Sequence, residues 1–120
     1  MMLDWTHYRK ELAAGVRQLA TLSPQTIKGY TALSAAGQCK NVLGAKTREL
    51  IALAVAVTVR CDGCIAVHTD AAQRLGATEE ELAEALGVAV AVNAGATVVY
   101  STRVMDAVAQ SARAIEQELP

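Results

Sequence analysis

Apolar residues recur at helical spacing along most of the chain, and the breaks between these stretches are short. Leu12, Val16 and Leu19 fall on one face of a 3.6-residue period and predict a first helix from Trp5 to about Thr21. Ser23-Pro24 is a start signal, a capping hydroxyl followed by proline in the first helical position. The helix it opens runs to about Ala36 and stops at Gly37, and residues 38–45 form a loop around Gly44. Ala45 to about Arg60 is the third segment. Its valine-rich half, Val55 to Val59, has strand propensity, but the length, the alanine content and the lack of turn residues favour a helix. A fourth helix starts near Cys61 and ends at Leu75-Gly76. Thr78, with Glu81 three residues later, has the form of a capping box, which disfavours a strand at Val88 to Val92. The helix it opens runs through Leu82, Leu86 and Val90 toward Asn93-Ala94-Gly95, and a last helix covers about Thr97 to Glu118. The expectation is an all-α single domain over residues 1–120, compact and built from about six helices.

Composition changes that picture in one respect. Of the 120 residues, 52% are hydrophobic but only 3% are aromatic, with no Phe. Small side chains let helices approach closely. A short chain of mean hydropathy +0.25 has more apolar surface than one core absorbs, so part of it is expected to lie between subunits. The net charge of −1 comes from interspersed residues of both signs, which argues against nucleic acid or anionic lipid as partners. The longest uninterrupted apolar run, Leu50 to Val57, is far too short for a bilayer. The start, Met1-Met2-Leu3-Asp4-Trp5, lacks a signal-peptide layout, so no membrane association and a cytoplasmic location are expected.

The candidate chemistry lies in Cys61-Asp62-Gly63-Cys64-Ile65-Ala66-Val67-His68. Cysteines three apart at a helix start lie on nearly one face, about 5–6 Å apart at Cα, within disulfide range. Free N–H groups and the helix dipole at that end favour thiolate. His68 is one turn after Cys64 on the same side, where it can take the thiol proton. Glu49 is the only acidic residue between Glu11 and Asp62, and it precedes a segment apolar on every face. It reads either as a solvated first-turn carboxylate or as a partly buried group that orients His68. Zinc is a rival reading, since Cys-x2-Cys-x3-His supplies ligand types that zinc accepts, although no second Cys/His pair is present. A third reading is a helical oligomer whose thiols sense oxidants without turnover.

These residues resemble the alkyl hydroperoxidase D-like, carboxymuconolactone decarboxylase superfamily. The similar stretch runs from about Lys46 to Ala91. It includes Lys-Thr-Arg-Glu-Leu-Ile-Ala-Leu-Ala-Val-Ala, the Cys-to-His octapeptide, and Ala-Ala-Gln-Arg-Leu-Gly-Ala-Thr-Glu-Glu-Glu-Leu-Ala-Glu-Ala. Glu49, Cys61, Cys64 and His68 fall at the family's redox positions. The resemblance implies an all-helical homotrimer or homohexamer and a thiol-dependent peroxidase or disulfide oxidoreductase in antioxidant defence. It implies a hydroperoxide substrate and an external dithiol or redox protein as electron donor; no bound cofactor or metal is expected. The four residues would form its proton relay and redox pair. Gly63 is a departure: full alkyl hydroperoxidase D proteins carry another histidine there, so the implied relay is shorter and the implied activity weak. The decarboxylase branch lacks the cysteine pair, so decarboxylation of a muconolactone is not expected.

Which thiol attacks first stays open, because His68 favours Cys64 and the helix-end position favours Cys61, with the balance placed on Cys64. His7 reads as a surface residue and Cys39 as an unreactive loop thiol, with a resolving or metal role as its alternative. Trp5, Tyr8, Tyr30 and Tyr100 read as packing or interface residues, one of which could roof the thiol pocket.

Overall fold

The computed structural model describes residues 1–120 as five helices: α1 (Trp5–Leu22), α2 (Pro24–Ala36), α3 (Ala45–Val59), α4 (Asp62–Arg74) and α5 (Glu79–Glu118). The all-α class is as expected, and neither valine-rich segment forms a strand. The helix count differs, because the two C-terminal helices expected from the sequence are one helix of 40 residues. The expected break falls at Asn93-Ala94-Gly95. There the Asn93 side-chain amide donates to the Ala89 carbonyl (2.7 Å) and to Thr58 Oγ1 (2.9 Å), so it does not end the helix. Gly95 stays out of the left-handed region, which only Gly44 and Gly76 occupy among the glycines. A lone interior glycine costs about 1 kcal/mol, too little to break a helix with no proline or new cap behind it.

The other helix ends follow local chemistry. Asp4 caps α1 by accepting the His7 N–H at 3.0 Å. α4 ends in paired bonds, Gly76 N–H to Gln73 and Ala77 N–H to Ala72, around Gly76 at φ +83°. Thr78 and Glu81 form the reciprocal capping box, each bond 3.1 Å long.

The helices pack in the spatial order α2–α1–α4–α3–α5. The centre is made mostly of alanine: Leu53 and Ala56 of α3, Ala66 and Ala72 of α4, and Ala89 of α5 are the only buried residues. α5 packs only on α3, tied by Asn93 to Thr58 and by Lys46 Nζ to Glu81 at 2.9 Å. Its second half has no partner within the chain. The radius of gyration is 21.3 Å, against roughly 14 Å for a compact domain of this length. The single chain is thus elongated rather than compact. α5 is also long and apolar enough to cross a membrane, by length and composition alone. Counting only uninterrupted apolar runs hides this, because Gly87, Asn93 and Thr97 break the run without adding charge.

Glu81 gives a test of how α5 is anchored. The hydrogen bond from Lys46, and then that from the Thr78 amide, hold its carboxyl below the ordinary 4.5. A depressed carboxylate stabilises the fold above its unfolded pKa and loses that contribution as pH falls through the folded value. Glu81→Gln is therefore expected to melt below wild type at neutral pH, with the two melting curves converging as pH drops below 4.5. Equal melting temperatures at neutral pH would reject this anchoring role.

Candidate active site

The site begins at the turn from α3 to α4. Arg60 takes the left-handed conformation (φ +56°), and the Cys61 N–H bonds back to the Ala56 carbonyl at 3.0 Å. This makes Cys61 the N-cap of α4, and its Sγ accepts the Cys64 N–H at 3.2 Å. Sulfur occupies the place an Asp or Ser oxygen usually takes, facing the unpaired amides of a helix start. A group that accepts such a bond is favoured as an anion, so the cap promotes thiolate at Cys61 when the pair is reduced. Cys61 and Cys64 are joined as a disulfide with Cα atoms 5.3 Å apart, as their spacing predicts.

One turn along α4, His68 reaches across to α3. Its Nδ1–H donates to Glu49 Oε2 at 2.6 Å. A carboxylate only accepts, so Nδ1 carries the proton and a neutral ring keeps its lone pair on Nε2. The side chains of His68 and Glu49 are 34% and 23% exposed, so the bond is partly shielded from water. The reading of Glu49 as a freely solvated carboxylate does not hold; its oxygen is committed to the imidazole.

Cys61, Cys64 and His68 line one cleft of about 580 Å³ between α1, α2 and α4. Leu12, Ala13 and Val16 of α1 and Val67 of α4 make its apolar wall, and Tyr30 of α2 stands at its side. Gly63 lets α1 approach the cysteine turn, since a Cβ there would lie 3.0 Å from Leu12 Cδ2. The space beside the disulfide that a side chain at 63 would use is thus taken by leucine. Arg9 and Arg17 also line the cleft. Arg9 pairs with Asp70 at 3.0 Å, and Asp70 accepts Arg74 Nε at 2.8 Å as well. The Arg74 hydrogen bond in particular holds the Asp70 carboxyl below its ordinary range.

Of the four residues singled out in the sequence, Cys61, Cys64 and His68 therefore line one cleft, and Glu49 of α3 reaches the site through its bond to His68. Cys61, Cys64 and His68 do not converge as a three-donor metal group. Cys39 is an exposed free thiol in the α2–α3 connection. His7 is exposed, and Trp5 packs edge-on against Tyr8 with ring centroids 6.2 Å apart. Sequence reasoning missed the α1 wall. Leu12 and Val16 were legible as an apolar face, but nothing local says that this face meets the cysteines. The recurrence Arg9-Ala13-Arg17, one residue per turn, was the available signal.

Residues 24–107 match the sequence model described as the carboxymuconolactone decarboxylase family. An uncharacterized protein from Haemophilus influenzae is 47% identical over 107 residues, covering 89% of this chain and 95% of the relative. A protein described as "Uncharacterized protein 4 in cox locus" from Paracoccus denitrificans is 37% identical over 76 residues, covering 63% and 68%. Among solved structures, a protein of that family from Legionella pneumophila, in its apo form, superposes with a TM-score of 0.70 at 34% identity, covering 86% of this chain and 92% of that one.

Proposed function

The chain belongs to the carboxymuconolactone decarboxylase family, and from that premise we propose that it is a thiol peroxidase of the alkyl hydroperoxidase D type. The observation that carries the reading is the disulfide pair sharing a cleft with an imidazole already oriented by a carboxylate. In the reduced protein, His68 Nε2 takes the Cys64 proton and Glu49 stabilises the imidazolium. The Cys64 thiolate attacks the terminal peroxide oxygen and the O–O bond breaks. Cys64 becomes a sulfenic acid, and the alkoxide takes the proton from His68 to leave as an alcohol. Cys61, the capped thiolate, attacks the sulfenic sulfur. The S–S bond forms and hydroxide departs, protonated to water. Two thiols are oxidised and one peroxide is reduced. An external dithiol resets the pair; Cys61 is the better leaving thiolate, so the incoming thiol bonds to Cys64.

Intact-mass measurement after one equivalent of an alkyl hydroperoxide is the direct test. Loss of two hydrogens, restored by dithiol and mapped to Cys61–Cys64, is expected. A main product joining Cys39 to either cysteine would sink the assignment.

The same reading includes a homotrimer or homohexamer, supported by the free half of α5. Val98, Val99, Tyr100, Val104, Met105 and Val108 are each more than half exposed. Left in water, that surface forgoes roughly 25 cal/mol per Å² of apolar area. A second copy is the favoured occupant, because the start of the same helix is held on α3 by polar bonds. Light scattering in detergent-free buffer is expected to give a trimer or larger. A monomer, or material that dissolves only with detergent or lipid, would overturn the oligomer.

A further inference from the structure

We infer that Arg17 is the anion-binding end of the cleft, so that the peroxide it takes is an apolar chain ending in a carboxylate. α1 and α4 run antiparallel: Arg9 meets Asp70 near the far end of α4, while Leu12 meets Gly63 at its start. Following α1 from Leu12 to Arg17 therefore leads past the cysteines and outward along the cleft. Five residues span roughly 7–8 Å of helix, the reach of about six bonds of an extended chain, each bond of about 1.5 Å advancing it by about 1.25 Å, as from a peroxide oxygen along six carbons. Ala13 and Val16 line the path between, an apolar wall for a hydrocarbon body.

The charges in the cleft have one sign. Arg9 and Arg17 line it beside the imidazole of His68, and no Asp or Glu does. Arg9 is held by Asp70, a carboxylate it shares with Arg74, and His68 is bonded to Glu49. The Arg17 guanidinium has no carboxylate partner. An arginine free to make a two-pronged bond at the end of an apolar groove recognises a carboxylate better than a neutral ester or alcohol. The identity of the ligand as a hydroperoxide rests on the peroxidase reading; the anion preference of the groove does not.

The test uses hexanoate and 1-hexanol as probes of the full-length oxidised protein, with binding read from the NMR shifts of Leu12, Val16 and Val67. Hexanoate is expected to bind about three- to tenfold more tightly than 1-hexanol, in the range of an exposed to partly shielded charged hydrogen bond. Arg17→Gln is expected to remove the preference, Arg17→Glu to invert it and Arg17→Lys to keep part of it. Arg17 is exposed, so these variants fold. Equal affinities in wild type, or a preference that survives Arg17→Gln, would overturn the inference. A kinetic arm compares 6-hydroperoxyhexanoate with its methyl ester: Arg17→Gln should raise KM for the acid alone and leave kcat unchanged. A hexanoate preference with neither peroxide consumed would uphold the anion site and count against the peroxidase.

Discussion

Cys64→Ser is expected to abolish peroxide consumption, with a loss of at least about a thousandfold, because a serine hydroxyl is neither ionised nor nucleophilic enough at neutral pH to replace a thiolate. Cys61→Ser is expected to lose turnover equally but to stop one step later. Its Cys64 would gain one oxygen from peroxide and be trapped as a sulfenic acid by dimedone. The asymmetry follows from the helix start. Cys61 is held at the cap with its sulfur on the Cys64 amide, whereas Cys64 lies one turn from His68. Should dimedone label Cys61 in the Cys64→Ser protein and leave Cys64 unlabelled in Cys61→Ser, the two thiols would exchange roles. Neither side chain is deeply buried, so folding is not expected to confuse the comparison.

The next largest effect concerns His68. His68→Ala is expected to move the pH profile of Cys64 alkylation upward by about one to two units, equivalent to about 1.4–2.7 kcal/mol. At neutral pH the rate would fall by at most about ten- to hundredfold, and by less than the thiolate fraction suggests, since a more basic thiolate is the better nucleophile. The deficit should vanish at high pH, where the thiol ionises unaided. Glu49→Gln should shift the profile in the same direction but less. Its amide can still accept the Nδ1–H bond, but it carries no charge to stabilise the imidazolium. If the 2.6 Å bond between Glu49 and His68 only fastens α3 to α4, both variants would melt earlier while their alkylation profiles superimpose on wild type.

The candidate site was largely legible along the chain, because it is local. Two cysteines three apart at a helix start and a histidine four further on need only the geometry of about two helical turns to fall on one side of the helix. The capping box at Thr78 and Glu81 was readable for the same reason: both partners lie within four residues. Glu49 was legible as an unusual acidic residue ahead of an apolar segment. Its bond to His68, 19 residues away, depends on how α4 folds back on α3 after Arg60 turns left-handed. The two expected C-terminal helices are one because Asn93 and Gly95, although helix-ending types, do not end it: the Asn93 amide is engaged by the Ala89 carbonyl of its own helix and by the distant Thr58. The cleft was beyond reach of any periodicity. A helical pattern says which face of α1 is apolar, but not which helix covers it. The closeness of Leu12 to Gly63, the pairing of Arg9 with Asp70 and the free charge on Arg17 were all decided by α1 packing antiparallel to α4.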